Sequence, residues 1–157
     1  MHDFRMSTLL PDVNTATCFW RAVDGRAGTQ HVLVAGARDA LLSVWPLAPP
    51  SSKARAAGPL PSTPSHYLYG HDAPITALAT SSALRCAVSA ATNGTLLLHH
   101  VPTARLLRMF PRLPRPASLV AISDVAPAVV TYCPALRRLH CFHIQVRPLR
   151  YRCRCCA

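Results

Sequence analysis

The sequence contains no glutamate and very little negative charge of any kind. Its 157 residues hold six acidic residues against 17 Lys and Arg, so the formal net charge is +11. Such an excess of cations favours contact with phosphate groups through counterion release. The arginines are scattered among Leu, Pro and Ala, however, and aromatic residues make up only 6% of the chain. Because arginine is not interleaved with aromatic side chains, the pattern does not indicate a stacking platform for nucleic acid.

A long hydrophobic run is also missing. The richest stretch, residues 118–131, is interrupted by Asp124 and Pro127 and is too short to span a bilayer. Residues 1–11 lack the continuous apolar core and cleavage site of a secretory signal. The seven cysteines are odd in number and unevenly spaced, which favours free thiols over a disulfide framework. We therefore expect a cytoplasmic protein.

Sustained helical periodicity is absent as well, because 15 prolines divide the chain into short apolar runs. Short strands separated by turns are typical of an all-β protein. The segment 46–65, rich in Pro, Ala and Ser, is expected to be an exposed, mobile loop, since proline lacks an amide donor for a sheet interior. The expected strands are 31–35, 41–47, 75–80, 86–90, 95–101, 105–110, 119–123, 128–133 and 139–146.

One turn is strongly encoded. Asn93 and Gly94 lie between two apolar runs and can supply the two positive φ angles of a type I′ turn. We therefore predict a hairpin over 86–101 with that turn at its tip.

An internal repeat is the most informative feature. Residues 32–45 align without a gap on residues 86–99, which lie 54 positions further along. Without about 15 residues of the proline-rich insertion, the repeat is about 40 residues long, the size of a four-stranded propeller blade. The pair Gly70-His71 precedes the expected strand 75–80. A third, less regular copy runs over 116–150.

These residues resemble WD40 repeats, in which a Gly-His pair, a small-residue strand, an Asp turn and a Trp strand follow one another. The resemblance implies a partial β-propeller of about three blades of antiparallel four-stranded sheets. It also implies hydrogen-bonded positions that tie the outer loop to the middle strands. In the second repeat, Asn93 replaces the aspartate, so its expected hydrogen bond to His71 is neutral, and His99 replaces the tryptophan. The matching residues are His71, Ser89, Asn93 and His99, and in the first repeat Asp39 and Trp45.

The amino-acid sequence of residues 36–45, 68–72 and 89–99 is similar to the carboxy-terminal WD40 region of BEACH-domain proteins, the neurobeachin and beige-like group. This resemblance implies a noncatalytic scaffold for protein–protein interaction in vesicle trafficking or membrane-associated signalling, beside a BEACH domain in the full-length protein. Its basic surface suits acidic proteins or peripheral association with anionic membranes. A basic RNA-binding propeller segment is the alternative function.

The expected organisation is an N-terminal segment 1–14, a repeat region 15–146 that includes the inserted loop 46–65, and an Arg/Cys-rich tail 147–157. Three blades are too few to close a ring, so we expect the chain to be a fragment of a longer protein.

Catalytic and metal-binding interpretations are weaker. His71 and Ser89 could be drawn as base and nucleophile, but no strained nucleophile elbow and no orienting carboxylate accompany them. His140 and His143 point to opposite faces of a strand, and no Cys-x-x-Cys pair exists. We therefore expect no catalytic residue, no cofactor and no metal. Asp39 and Asp124 are expected to be turn residues that cap their own backbone.

Overall fold

A computed structural model describes residues 13–22, 29–47 and 63–144, with side chains over 36–45 and 63–144. Apart from two single 3-10 turns at Val101–Thr103 and Pro134–Leu136, the regular structure of these residues is all strand. The strands are β1 Val13–Ala22, β2 Thr29–Ala37, β3 Leu42–Leu47, β4 His66–Leu68, β5 Ile75–Ser81, β6 Cys86–Ala91, β7 Leu96–His100, β8 Arg105–Met109, β9 Leu119–Ile122, β10 Ala128–Cys133 and β11 Arg138–His143.

The strands form three consecutive antiparallel sheets, here called blades A, B and C. Blade A has the order β1-β2-β3-β4, blade B the order β5-β6-β7-β8, and blade C joins β9, β10 and β11. Each sheet is an up-and-down meander, because strands that are consecutive in the chain are antiparallel neighbours in the sheet. The first strand of blade B contacts the first strands of both other blades. The predicted all-β architecture and partial β-propeller are therefore confirmed, with three strands of blade C inside the described residues.

Two strands were not expected from the sequence. β1 mixes polar residues with apolar ones instead of forming an apolar run, and it begins at Val13, inside the expected N-terminal segment. β4 has only three residues. The expected loop 46–65 is shorter at its start, because Pro46 and Leu47 belong to β3 and are in register with Val32 and His31. Residues 48–62 of that loop and the tail 147–157 lie outside the described residues.

Apolar side chains fill the two spaces between the blades. One cluster joins blades A and B, with Leu42, Val44, Leu68, Ile75, Ala87 and Val101 at its centre. A larger cluster joins blades B and C and contains Val88, Leu96, Leu98, Phe110, Val129 and Cys133. Every residue of β6 is buried, because both faces of blade B are covered. Continuous apolar runs such as 86–91 are the expected sequence for strands in that position.

Glycine permits the closest approach between blades A and B. Gly36 on β2 is buried, and a Cβ atom there would collide with the side chain of Ile75 on β5. The missing side chain therefore lets the second strand of blade A lie directly against the first strand of blade B.

The hairpin between β6 and β7 is confirmed, but its predicted type I′ turn is wrong. Gly94 donates its amide to Ala91 and has a φ of +85°, whereas Asn93 is not among the residues with positive φ. Ala91 donates to the carbonyl of Thr95 at 3.0 Å. This geometry is a three-residue loop, in which a type I turn is followed by one left-handed residue. The side chain of Asn93 favours it by accepting a hydrogen bond from the amide of Thr95 at 3.0 Å.

Blade A repeats this turn with one unfavourable residue. Ala37 donates to the carbonyl of Leu41, and the amide of Leu41 donates to Asp39 Oδ1 at 3.1 Å. Asp39 is thus the turn residue that the sequence predicted. Ala40 takes the position of Gly94 with a φ of +67°, a conformation that costs a residue with a Cβ atom about 1 to 2 kcal/mol.

We therefore expect Ala40→Gly to stabilise the protein by about 0.5 to 1 kcal/mol, since relief of the left-handed strain exceeds the entropy that glycine adds to the unfolded chain. The midpoint of urea unfolding measures it. Gly94→Ala is the matched control and should lower stability by more than about 1 kcal/mol, because its Cβ atom would also collide with the carbonyl of Leu113. A destabilised Ala40→Gly variant would contradict this account.

Candidate interaction surface

Polar side chains bind the connector between blades A and B to the middle strands of blade B. The connector, residues 69–74, follows β4 and turns at Gly70, which has a φ of +132°. His71 then points back into blade B, where its Nε2 lies 2.7 Å from the Oγ of Ser89. Ser89 is fully buried in the centre of β6. The structure therefore places two of the predicted site residues in direct contact.

Of the two other residues of the second repeat, Asn93 has a partner that differs from the one implied by the resemblance. His99, fully buried on β7, donates its Nε2–H to the carbonyl of Tyr69 at 2.8 Å. Asn93 donates from Nδ2 to Asp72 Oδ1 and therefore does not bond to His71. The acceptor oxygen of Asn93, which was expected to face His71, instead accepts the amide hydrogen of Thr95 at 3.0 Å.

Blade A contributes one further histidine that the sequence analysis missed. His66 on β4 donates its Nε2–H to the carbonyl of Val101 at 2.8 Å, across to the 3-10 turn of blade B. We call the contacts of His66, His71, Asp72 and His99 the inter-blade clasp. Trp45, the corresponding tryptophan of the first repeat, is 5% exposed on β3. In the first repeat, Ala35 takes the position of Ser89, and its side chain lies outside the described residues.

Burial favours the neutral form of two histidines of the clasp, His71 and His99. The pKa of His71 is lowered from 6.5 to about 4, mainly by desolvation and to a smaller extent by the proximity of His99, while Asp72 partly opposes the shift. Desolvation also lowers the pKa of His99, against the effect of its hydrogen bond to Tyr69. The Nδ1 atoms of His71 and His99 are buried and have no hydrogen-bond partner within the described residues. Both rings are therefore suited to holding the loop and poorly suited to gaining a proton.

Blades B and C are joined by a different set of polar contacts. Thr76 on β5 donates its hydroxyl to the carbonyl of Ala117 at 2.7 Å. Ser81, at the other end of β5, bonds to Asp124 in the turn between β9 and β10. Arg108 on β8 donates to the carbonyl of His143 at 2.8 Å and stacks over Phe110 at 5.0 Å. Asp124 thus caps a neighbouring blade, whereas the sequence predicted that it would cap its own turn.

Among the residues whose side chains the structure describes, most of the exposed arginines lie at one rim of the three blades. It consists of the turns 38–41, 92–95 and 134–137 with the connectors 69–74 and 110–118, and we call it the upper rim. Backbone bonds from Thr92 to Pro74 and from Leu113 to Gly94 join these loops. The five exposed arginines on or beside it are Arg38, Arg112, Arg115, Arg137 and Arg138. Its acidic residues are two, Asp39 and Asp72, against these five arginines, so positive charge dominates the upper rim.

No group of three or more potential metal ligands is assembled within the described residues. On β11, His140 is half-buried and stacks with Phe142, while His143 is exposed, as the alternation of strand faces predicted. Burial raises the pKa of the thiols of Cys86 and Cys133, which makes them poor ligands and poor nucleophiles. In the part of the chain that the structure describes, no helix has the length and apolarity needed to cross a membrane.

Comparison with known proteins supports the fold. No protein-family model and no curated protein matches the chain. Among solved structures, the computationally designed Ika4 protein is similar, with a TM-score of 0.57 and 24% identity over 78% of this chain and 70% of that one. The designed Ika8 protein gives 0.56 and 24% over 79% of this chain and 36% of its own.

A natural β-propeller is also among the similar structures. The Cps50 (Swd1) beta-propeller domain of Myceliophteria thermophila has a TM-score of 0.55 and 18% identity, over 72% of this chain and 32% of that one. The chain thus spans about a third of the length of this domain and of Ika8. The shared feature is the fold, which is a WD40-like β-propeller segment.

The inter-blade clasp should make stability depend on pH. Folded His71 stays neutral down to about pH 4, whereas the unfolded chain takes up this proton near pH 6.5. The stabilisation is therefore complete above pH 6.5 and is lost as the pH falls towards 4. We expect a loss of about 2 kcal/mol from this group between about pH 7 and about pH 4.5, after allowance for partial solvent access.

Urea unfolding of the wild type and of His71→Gln, measured across this pH range, isolates the effect. Glutamine can still bond to Ser89 but does not titrate, so the variant should lose about 2 kcal/mol less than the wild type on acidification. Equal losses in the two proteins would contradict the assignment.

Because Asn93 bonds to Asp72, replacing Asn93 with the aspartate of the WD40 pattern should destabilise the protein. Asn93→Asp introduces the aspartate of that pattern but sets two carboxylates against each other. We expect a loss of about 0.5 to 1 kcal/mol that high salt reduces. The double variant Asp72→Asn/Asn93→Asp recreates one amide and one carboxylate and should recover the loss in the same urea measurement. If Asn93→Asp alone stabilises the protein, a bond to His71 has formed instead.

Proposed function

We propose that this chain is a noncatalytic scaffold that presents the upper rim to protein partners. The proposal rests on one observation, which is that Ser89 and His71, the two side chains that could act in catalysis, make a structural contact with each other. Ser89 is fully buried, so a substrate cannot reach its Oγ. His71 Nδ1 has no partner among the described residues, whereas a catalytic histidine requires an orienting group there.

We assign the predicted site residues a structural role. His71, Ser89, Asn93 and His99 hold the connector of the upper rim against blade B, and Asp39 and Trp45 perform the related role within blade A. Support comes from the hydrogen bonds of the clasp and from the similar turns of the two blades. Rigid strands below ordered loops are the arrangement through which such scaffolds bind partners.

The cellular role follows from the sequence resemblance. We place the repeat region 15–146 beside a BEACH domain in a longer protein that acts in vesicle trafficking or membrane-associated signalling, in the cytoplasm and peripherally at membranes. The +11 net charge supports contact with acidic proteins or anionic membranes at that location. Since β1 begins at Val13, we extend the proposed repeat region to that residue, and the tail 147–157 stays outside it.

Two measurements test this proposal. A serine-reactive fluorophosphonate should label neither the wild-type protein nor Ser89→Ala, because the hydroxyl of Ser89 is buried. Selective labelling of the wild type would establish a nucleophile and remove the scaffold assignment. The transcript upstream of the Met1 codon should encode a BEACH domain in the same frame, and an unrelated upstream domain would remove the trafficking role.

A further inference from the structure

Three exposed arginines surround the upper end of β10, where blades B and C meet. Arg115 lies in the connector from blade B, and its carbonyl accepts a hydrogen bond from the Sγ of Cys133 at 3.4 Å. Arg138 on β11 is in register with Cys133, which belongs to the apolar cluster between the two blades, so Arg138 lies on the face of blade C turned towards blade B. Arg137 ends the turn that precedes it. We call these three exposed residues the arginine cluster.

The cluster has little opposing charge. The acidic side chains that the structure describes are those of Asp39, Asp72 and Asp124. Asp39 belongs to blade A, and Asp124 lies in the turn at the opposite end of β10. Asp72 bonds to Asn93, whose carbonyl also accepts a hydrogen bond from Arg112, so this carboxylate lies beside Arg112, which we leave out of the cluster. Three neighbouring cations without a described carboxylate between them repel one another and favour the binding of an anion.

The backbone holds Arg115 in place before any ligand binds. Arg115 stands between Pro114 and Pro116, and proline fixes its own φ angle and restricts the residue before it. The connector is also bonded to blade B before this segment and to blade C after it. An ordered backbone lowers the entropy cost of binding. Because the cluster lies between two blades of this chain, a further blade packed on the opposite face of blade C leaves it accessible.

A phosphate group matches the cluster better than a carboxylate does. The planar guanidinium group of arginine can donate two parallel hydrogen bonds to either anion. A carboxylate carries one negative charge, whereas a phosphorylated side chain carries a charge of about −1.5 to −2 and has three acceptor oxygens, so it can bond to more than one arginine at once. Nucleic acid is disfavoured, because Tyr132 and Phe142 of blade C are half-buried and base stacking needs an exposed ring.

We propose that the arginine cluster binds a phosphorylated serine or threonine of a partner protein. Arg115 and Arg138, which share Cys133 as a neighbour, donate to the phosphate oxygens from the two sides of the junction, and Arg137 adds positive charge beside them. This inference rests on the proposed scaffold function and specifies the position and the chemistry of one partner contact.

An NMR titration tests the site with a short peptide of glycine and alanine that contains one central phosphoserine. We expect the side-chain Nε–H signals of Arg115 and Arg138 to shift, while those of Arg85 and Arg105, beside turns at the opposite rim, stay in place. The same peptide with glutamate should bind at least about fivefold more weakly, because it has less charge and fewer acceptors. Equal binding of the two peptides would overturn the preference for phosphate.

A matched pair of double variants separates the site from the net charge. Arg115→Gln/Arg138→Gln should weaken binding of the phosphoserine peptide at least about tenfold, because both donors from the junction lose their charge. Arg85→Gln/Arg105→Gln removes the same charge at the opposite rim and should change the affinity less than about threefold. Circular dichroism verifies that both variants are folded. Equal losses in the two variants would show attraction by net charge alone and would overturn the site.

Two further results would overturn the inference in favour of another ligand. These are tighter binding of a single-stranded RNA or of vesicles that contain phosphatidylinositol bisphosphate, each weakened by Arg115→Gln/Arg138→Gln. Failure here is distinguishable from failure of the scaffold function. A phosphoserine peptide that shifts no signal of the cluster removes this site and leaves the scaffold intact, whereas fluorophosphonate labelling of Ser89 removes the scaffold.

Discussion

Coverage of blade B on both faces is the constraint on which the rest of the structure depends. Its central strands bury every side chain of β6 and nearly all of β7, and they can do so only while blades A and C lie against them. Burial of apolar surface is the main favourable term in folding, and here it is divided between two clusters that each need two blades. The stability of each blade is therefore linked to that of its neighbour, as in other repeat proteins.

The polar contacts differ between the two junctions. Between blades A and B, His66 and His99 donate hydrogen bonds to backbone carbonyls. Burial keeps His71 and His99 neutral. Between blades B and C, hydroxyl groups and Arg108 take this role. Neutral buried rings avoid the desolvation cost of a charge, while the positive charges remain on exposed loops. Neutral polar groups therefore lie in the interior, and charged groups lie on the surface that is proposed to bind partners.

Local patterns predicted much of this architecture. Apolar runs bounded by turn residues placed β3, β5, β6 and β10 within one residue of their observed limits. The alignment of residues 32–45 on residues 86–99 predicted two equivalent hairpins, and both are present. The turn at Asn93 was predicted in place but not in type, because a dipeptide preference does not count the residues between paired strands. β1 and β4 escaped prediction because a mixed or very short strand carries little periodic signal.

The sequence by itself determined most of the strands, the positions of their turns and the repeated hairpins, because these depend on contacts between neighbours along the chain. Its resemblance to WD40 repeats also implied that His71 and Ser89 belong to one hydrogen-bonded set. Only the tertiary structure decided that Asn93 bonds to Asp72, that His66 crosses to Val101, and that one face of blade C is open. Those features depend on the distance between residues from different blades. No local preference encodes that distance, because packing of the neighbouring sheets sets it.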